Sequence, residues 1–350
     1  MPNLCKKLEI IETKDEPAYT QAISGDFFVP FSQSWSYGKW QKTSGREVRN
    51  YVISCDKEVL GGFQLIQYSL PLKLSYLYIP HGPILKKKLS KVLEKELLDF
   101  LKALAIKEAV IFIRIDSWPE TLNNQSYEDW REAPLYSYHG AYTQPRFEWI
   151  LNLANNELAL LSKMHPHCRY NIKLAEKKGI KITKITEEKL SDYFETFYSL
   201  LLETAERNGF NLHPKSYYAH LFKESSDKIE LFLAEYNGEY LAADLIYYED
   251  NVANWLFGGS SNNYRNLGPT FLLQWHSILS AKEKGCKYYS FGGVYNTDYP
   301  NVYKGYKSFT FYKKNYGGFY LNYNPSYIYS PRPFLNWLYN IRRQLKNIPL

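Results

Sequence analysis

Apolar and polar positions follow the same order twice along the chain. In the first half, residues 47–55 alternate between apolar and polar side chains, and a charged turn joins them to a second apolar stretch at residues 59–68. This pattern predicts a β-hairpin. The half continues with an apolar run, a helix-like stripe and a buried strand, at residues 74–80, 89–108 and 109–115.

The second half repeats this order about 180 residues later. Its strand, helix and strand patterns lie at residues 229–235, 241–248, 253–258, 270–284 and 288–291. A hairpin followed by strand, helix and strand predicts a mixed α/β sheet, here built twice. We therefore expect two domains, residues 1–146 and 147–324. We also expect a ligand groove between them, because clefts at domain interfaces are common binding sites.

Three other segments have the apolar spacing of helices. They are residues 35–44, residues 190–208 with Gly209 as a C-terminal cap, and residues 331–350. The C-terminal segment, residues 325–350, combines apolar positions with three basic residues near its end. We expect it to pack on the first domain, and contact with a membrane surface is the alternative.

Composition narrows the possible partners. The chain of 350 residues carries a net charge of +7, which favours anionic partners but is too mild to indicate nucleic-acid binding by itself. Aromatic residues make up 17%, a share typical of clefts for sugars, bases or peptides and equally of a biased composition. No apolar run is long enough for a membrane span and no export signal is evident, so we expect a cytoplasmic protein. The four cysteines lack metal-binding spacing, so we expect them to be reduced, with no metal site.

Several short motifs occur in a characteristic order. They are Gln33-Ser34-Trp35 with Lys39, Tyr78 to Pro83, Gln144-Pro145-Arg146, the helix-like segment Arg169 to Gly179, and Tyr312-Lys313 with Tyr316-Gly317-Gly318. Taken together, they resemble the FemABX family of peptidoglycan bridge-forming aminoacyltransferases. The resemblance spans about residues 30–325 and implies two tandem GNAT-like acyltransferase domains, in agreement with the internal repeat.

The resemblance also implies an activity. Such enzymes move an amino acid from aminoacyl-tRNA to the amine of a peptidoglycan stem peptide, with a UDP-linked or lipid-linked muropeptide as acceptor. On this basis we expect a monomer without a cofactor, whose co-substrate is aminoacyl-tRNA. An inner membrane surface would be a peripheral partner.

Lys313 matches the family lysine that stabilises the oxyanion formed during ester aminolysis. A preorganised cation at that position contributes roughly 3–4 kcal/mol to such a transition state. The alternative is a surface lysine in a basic hairpin, and the adjacent Lys314 is the competing candidate for the motif position.

Other positions match residues that contact the acceptor. Lys39 matches a phosphate-binding lysine, and Tyr217 matches a tyrosine that touches the acceptor. His213 stands where the family often has arginine, so the phosphate contact is weaker there or Lys215 supplies the charge.

Three more aromatic residues are candidates for the same acceptor cleft. Trp255 and Phe257 stand where the family often has tyrosines that face the acceptor, and Tyr78 is expected to line the cleft from the first half. For each of these aromatic residues, packing in the core is the alternative.

Two features leave other functions open. Arg265 and Gly268 fit part of the coenzyme A pyrophosphate loop of acyl-CoA-dependent GNAT enzymes, but Pro269 removes one backbone donor and Thr270 is larger than the usual residue. Asp244 is a lone acid in an apolar strand, either a catalytic base or an ion-pair partner. The alternatives are therefore an acyl-CoA-dependent N-acyltransferase and a non-catalytic relative that binds tRNA or wall precursors.

Overall fold

The computed structural model describes residues 7–116, 129–133, 144–300 and 304–346. It divides into two compact units. The first unit comprises Met1–Arg146, Asn296–Gly305 and Asn322–Leu350, and the second comprises Phe147–Tyr295 and Tyr306–Leu321. The sequence at residues 117–143 is rich in Ser, Asn, Pro and Tyr, which predicts a loop, and most of this segment lies outside the described residues.

The first unit is built around one mixed sheet. Its elements are β1 (Glu9–Thr13), α1 (Glu16–Ile23), α2 (Trp35–Thr43), β2 (Glu47–Cys55), β3 (Glu58–Ser69), β4 (Ser75–Ile79), β5 (Ile84–Leu85), α3 (Lys91–Lys107), β6 (Ile113–Ile115), β7 (Trp130–Glu132), β15 (Tyr327–Tyr329) and α10 (Pro333–Lys346). The strand order is β1-β2-β3-β4-β6-β15-β7, with β5 paired to β3. Neighbouring strands are antiparallel, except that β4 and β6 are parallel. Helix α3 forms the crossover connection between these two strands.

The second unit has the same plan. Its elements are β8 (Phe147–Asn152), α4 (Glu157–Lys163), α5 (Pro166–Lys177), β9 (Lys181–Ile185), α6 (Phe194–Asn208), α7 (Lys215–Glu224), β10 (Ile229–Tyr236), β11 (Glu239–Glu249), β12 (Val252–Ser260), α8 (Pro269–Glu283), β13 (Tyr288–Gly293), α9 (Lys307–Lys314) and β14 (Phe319–Asn322). The strand order is β14-β8-β13-β12-β11-β10-β9. Read from β9, it matches the first sheet strand for strand, and its parallel pair is β12 and β13. The predicted internal repeat is confirmed.

Each sheet buries one face under its crossover helix. In the first unit, Leu97, Leu98 and Leu101 of α3 are fully buried on the sheet. In the second unit, Leu272 and Ile278 of α8 do the same. In α3 these residues repeat every three to four positions and form one apolar stripe. In α8 the buried side is wider and includes the polar residues Gln274, Ser277 and Ser280.

The structure differs from the sequence predictions at several segments. The buried run at residues 109–115 forms a strand only from Ile113, and Ala109 has a positive φ of 51°. Residues 187–193 form a 3-10 turn before α6 begins. Residues 307–314, which the alternative interpretation of Lys313 places in a hairpin, form helix α9. Helix α1 lies before residue 35, where the sequence pattern predicts only a strand and a loop.

The redox state of the cysteines and the absence of a membrane-spanning helix are two further expectations from the sequence. Cys168 and Cys286 are free and buried, whereas Cys55 is disulfide-bonded, so the prediction of four reduced cysteines is wrong at Cys55. This disulfide removes the support that cysteine usage gave to a cytoplasmic location. Among the described residues, no helix combines the length and apolarity needed to cross a bilayer.

Helix α10 packs on the sheet of the first unit through Tyr339. The ring of Tyr339 lies 5.3 Å from that of Phe112 and 6.0 Å from that of Tyr76, measured between centroids. Other apolar side chains of the helix, Phe334, Trp337 and Leu338, are exposed. The helix therefore has a docked side and an exposed apolar side.

Candidate active site

Lys313 projects from the last turn of α9 toward the end of β13. Its Nζ donates a hydrogen bond to the carbonyl oxygen of Gly293 at 2.7 Å. The ammonium also lies over two rings, 5.6 Å from the centroid of Trp255 and 6.0 Å from that of Tyr306. One carbonyl accepts only one of its three protons, so two donors of the ammonium are open to cation–π contacts or to a ligand.

Burial lowers the pKa of the Lys313 ammonium group. Removal of the ammonium from water lowers its pKa to about 8, and the nearby carboxylate of Glu148 opposes that shift. The side chain therefore remains mostly protonated at pH 7 and titrates about one unit above it. A poorly hydrated cation of this kind interacts more strongly with negative charge than a surface lysine does.

Lys314 has a different environment. It is exposed, and its Nζ lies 4.5 Å from the ring centroid of Tyr320 and 5.2 Å from that of Trp149. Because adjacent helical residues point about 100° apart, only one of the two lysines can face inward here. The inward one is Lys313, the residue that the family motif indicates.

An acid and an indole pair across β11 and β12. The indole N–H of Trp255 donates to Oδ1 of Asp244 at 2.8 Å, whereas Oδ2 of Asp244 is buried without a hydrogen-bond partner. Burial raises the pKa of Asp244 to about 8. Gly258 makes the pair possible, since a Cβ there would lie 2.5 Å from Cζ2 of Trp255 and 2.8 Å from Oδ1 of Asp244.

A β-bulge decides which way Trp255 points. The register between β11 and β12 shifts after Leu245, so that Leu245 pairs with Phe257 but Ile246 pairs with Trp255. The extra residue moves Trp255 to the face of Asp244 and leaves Phe257 on the opposite face. The expectation that both rings face one ligand is therefore not met.

A cavity of about 240 Å³ opens beside this pair, within the second unit. Its wall includes Asp244, Trp255, Tyr312 and two arginines, Arg207 and Arg265. The Tyr312 hydroxyl is held by the carbonyl of Thr270, which also lines the cavity. The predicted loop at Arg265 thus borders a real cavity, at the start of α8.

The two arginines make one side of the cavity positive. Arg207 bonds to the carbonyl oxygen of Ser260 and the side chain of Asn262, both at 2.8 Å. Burial and the neighbouring charge of Arg265 lower the pKa of Arg207. Arg207 belongs to the segment Glu206-Arg207-Asn208-Gly209-Phe210, which also resembles the family pattern, but sequence reasoning gave this residue no role in the site.

Three of the residues expected to bind acceptor meet around Tyr218, whose ring centroid lies 6.3 Å from that of His213, 5.6 Å from that of Tyr217 and 5.0 Å from that of Phe257. His213 and Tyr217 are ring neighbours, with centroids 4.1 Å apart, and His213 is exposed. Phe257 packs against the buried Tyr218, at a centroid distance of 5.0 Å. Lys215, at the start of α7, forms a salt bridge with Glu195 at 2.6 Å. It can bind a phosphate of the acceptor only if this salt bridge breaks.

Two further candidates lie in the first unit. Lys39 is exposed on α2, with its Nζ 3.6 Å from a carboxylate oxygen of Glu16. Tyr78 is only 1% exposed, and its hydroxyl donates to Asp116. The burial of Tyr78 favours the packing alternative over ligand contact. Within the described ranges, no three His, Cys, Asp or Glu residues cluster in a way that could hold a metal ion.

Comparison with known proteins identifies the family. The FemAB family profile matches residues 135–241 and 237–344, which is more than half of the chain. The chain belongs to the FemAB family. The predictions of this family, of an aminoacyltransferase and of two tandem GNAT-like domains are confirmed.

Several relatives support this placement. The chain is 24% identical to the Lipid II:glycine glycyltransferase of Staphylococcus aureus, over 83% of the chain and 85% of the relative. It is 24% identical to the protein of the same name from Staphylococcus epidermidis, over 74% and 79%. Among solved structures, FemX aligns with a TM-score of 0.81 at 20% identity, covering 94% of this chain and 99% of FemX. A tandem GNAT protein from the clavulanic acid biosynthesis pathway aligns with a TM-score of 0.54 at 11% identity, over 92% and 98%.

Proposed function

We propose that this FemAB family member transfers an amino acid from aminoacyl-tRNA to the stem-peptide amine of a peptidoglycan precursor, as in the formation of an interpeptide bridge. The observation that carries the proposal is the inward position of Lys313, a poorly hydrated cation beside an indole face. The similarity to Lipid II:glycine glycyltransferases supports a precursor of the lipid-linked class.

The chemistry is the aminolysis of an ester. The neutral amine attacks the ester carbonyl and forms a C–N bond, and the carbonyl oxygen becomes an oxyanion that the Lys313 ammonium stabilises. The intermediate then collapses, the C–O bond breaks and the ribose hydroxyl departs. The proton lost from the amine nitrogen ends on the ribose oxygen, so that the protein returns to its starting state without a cofactor.

The partners follow from this reaction. They are aminoacyl-tRNA and a UDP-linked or lipid-linked muropeptide, acted on by a monomer at the cytoplasmic side of the membrane. The exposed Phe334, Trp337 and Leu338 of α10 support peripheral contact with a lipid surface, because interfacial helices insert such side chains between headgroups. The net charge of +7 favours both the nucleic acid and anionic lipid.

A transfer assay tests the proposal. Purified protein is incubated with tRNA charged with each common amino acid in turn, and with UDP-linked or lipid-linked muropeptide. We expect one charged tRNA to extend the stem peptide, detected as a mass gain of one amino-acid residue and abolished by ribonuclease treatment of the donor. Absence of an extended product for every charged tRNA and both acceptors would refute the proposal.

The alternative acyl-CoA-dependent acyltransferase has one observation in its favour, the cavity beside Arg265 at the start of α8. Pro269 occupies the first helical position there, so that one backbone donor for pyrophosphate is missing. Calorimetry with coenzyme A separates the two functions, because only the acyl-CoA enzyme requires tight binding of coenzyme A itself.

A further inference from the structure

Asp244 is the buried acid in the cavity wall for which the proposed chemistry has no role. It is 5% exposed, and its described surroundings offer one hydrogen bond, from Trp255 to Oδ1. Oδ2 is left without a partner. A buried carboxyl oxygen without a partner carries a desolvation cost of about 1–3 kcal/mol, which a ligand donor would remove.

The position of Trp255 is fixed by features that serve this acid. The bulge after Leu245 turns the indole toward Asp244, and Gly258 leaves room for both side chains. The hydrogen bond from the indole orients the carboxyl group and occupies Oδ1. The remaining oxygen is therefore presented in a fixed direction, as expected of a binding group rather than of a solvated acid.

The charges around the cavity describe a ligand with two different ends. Arg265 is exposed and near Arg207, so that side attracts an anion such as a phosphate. Asp244 is buried and acidic, so the inner end favours a hydrogen-bond donor such as an amine. The volume of about 240 Å³ lies below the usual range of ligand pockets, roughly 300–1,000 Å³, and suits a small group of this kind.

We infer that Asp244 binds the α-amino group of the donor aminoacyl ester through Oδ2, and this inference rests on the proposed function. Lys313 lies over the face of Trp255 while Asp244 is bonded to the edge of the same indole. An aminoacyl ester carries its amine two bonds from its carbonyl carbon. With the amine on Asp244 inside the cavity, the ester carbonyl would extend past the indole of Trp255 toward Lys313, which lies outside the cavity wall.

The protonation states agree with this assignment. Burial raises the pKa of Asp244 to about 8, and an α-amino group titrates at about 7.7–8.0. Near neutral pH, which is below both pKa values, the free acid and the free amine are each mostly protonated, and in the complex they share one proton, as acid and amine or as carboxylate and ammonium. Binding therefore releases about one proton near pH 7 and leaves no unpaired buried charge.

Two stable probes test the inference by binding alone. Both are adenosine monophosphates whose ribose carries an acyl group through an amide, glycyl in one and propionyl in the other, so that a methyl group replaces the amine. Calorimetry on the complete wild-type chain should show the glycyl probe binding about 10-fold to 100-fold more tightly, as for a charge-assisted hydrogen bond. The Asp244→Asn variant should reduce this ratio to about 2-fold or less, whereas Glu235→Gln, an acid on β10 outside the cavity, should preserve it.

Each other outcome overturns the inference. Equal affinities of the two probes for the wild-type chain would remove the amine contact, and this comparison stands even if Asp244→Asn fails to fold. If a folded Asp244→Asn protein keeps the same ratio between the affinities of the glycyl and propionyl probes, a group other than Asp244 binds the amine. If neither probe binds, the inference falls, while transfer from aminoacyl-tRNA in the assay above would still support the proposed function.

Discussion

The ammonium of Lys313 lies 5.6 Å from the centroid of the Trp255 indole, and that indole donates its N–H to Asp244. One aromatic ring therefore contacts a half-buried cation on its face and a buried acid at its edge. The two ionisable groups come from different elements, α9 and β11, and the bulged strand β12 supplies the ring between them. The arrangement leads to several predictions.

Loss of the inward cation should impair chemistry more than binding. We expect Lys313→Met to lower kcat for aminoacyl transfer by about 100-fold to 1,000-fold with little change in KM, because the ammonium acts on charge that develops only in the transition state. Lys314→Met is the matched control on the exposed side of α9 and should stay within about 2-fold of wild type. Steady-state kinetics of both variants test this prediction. Comparable losses of kcat in the two variants would show that the lysine at position 313 has no specific role in the reaction.

The pH dependence of transfer should reveal the titration of Lys313. The rate first rises with pH as more of the acceptor amine becomes neutral. It then falls above pH 8, because the pKa of Lys313 is lowered to about 8 and the cation is lost. Single-turnover rates between pH 6 and pH 10, at about half-unit intervals and corrected for spontaneous ester hydrolysis, measure both limbs.

Lys313→Arg is the control for that profile. Arginine keeps its charge throughout this range, so residual activity in the variant should continue to rise where the wild-type rate falls. A falling limb near pH 8 that persists in Lys313→Arg would assign the titration to another group.

The sequence predicts the internal repeat of the fold. It does not predict the orientation of the side chains in the site, and the reason is physical. Hairpins such as β10 and β11 are visible because two apolar runs flank a short turn, Asn237-Gly238. The single extra residue between Trp255 and Phe257 leaves no mark in an apolar run, yet it sends these two rings to opposite faces.

Helix α9 was missed for a related reason. Its eight residues, Lys307–Lys314, are short and aromatic, so that no clear apolar stripe separates a helix from a hairpin. The role of Asp244 was open because its partner depends on the bulge in the next strand, β12, which turns Trp255 toward the acid and leaves no mark in the sequence. The structure shows the indole of Trp255, rather than a lysine or arginine, as its hydrogen-bond donor.

Gly258 should be intolerant of a side chain. A Cβ at this position would lie within 3 Å of both Trp255 and Asp244, so Gly258→Ala must displace the indole or the carboxyl group. We expect a loss of about 1–3 kcal/mol in the free energy of unfolding, together with reduced transfer activity. Denaturant unfolding monitored by tryptophan fluorescence measures the first effect.

The matched control for this substitution is Gly285→Ala, just beyond α8. A Cβ there meets nothing within 4 Å, and only its positive φ of 81° opposes the change. It should cost about 1 kcal/mol of backbone strain and leave activity nearly unchanged. If Gly258→Ala keeps full activity and stability, the side chains of Trp255 and Asp244 can accommodate a methyl group at this position.

Lys39 should affect acceptor affinity without affecting stability. Its contact with Glu16 is exposed and 3.6 Å long, so its loss should change the free energy of unfolding by less than about 1 kcal/mol. If Lys39 holds acceptor phosphate, Lys39→Met should raise KM for the UDP-linked acceptor by about 10-fold, with a smaller effect at high salt. Lys42→Met, an exposed lysine on the same helix, is the control, and equal KM values for the two variants would remove Lys39 from the acceptor site.

Replacement of the buried, ionisable carboxyl group of Asp244 should stabilise the fold by an amount that depends on pH. Because burial raises the pKa of Asp244 to about 8, the folded state keeps a proton that the unfolded state has already released. Stability therefore falls as pH rises from about 4 to about 8. Asparagine does not ionise and still accepts the bond from Trp255, so we expect Asp244→Asn to gain about 1–3 kcal/mol at pH 7 and much less near pH 4.

Chemical denaturation at the two pH values measures this difference. Glu235→Gln on the neighbouring strand is the control and should show no comparable gain at pH 7. The opposite sign, with Asp244→Asn less stable than wild type at pH 7, would mean that the carboxylate is stabilised in the fold. An acid kept in the wall of a cavity at a cost in stability is expected at a binding or catalytic site, because the ligand supplies the partner that the fold withholds.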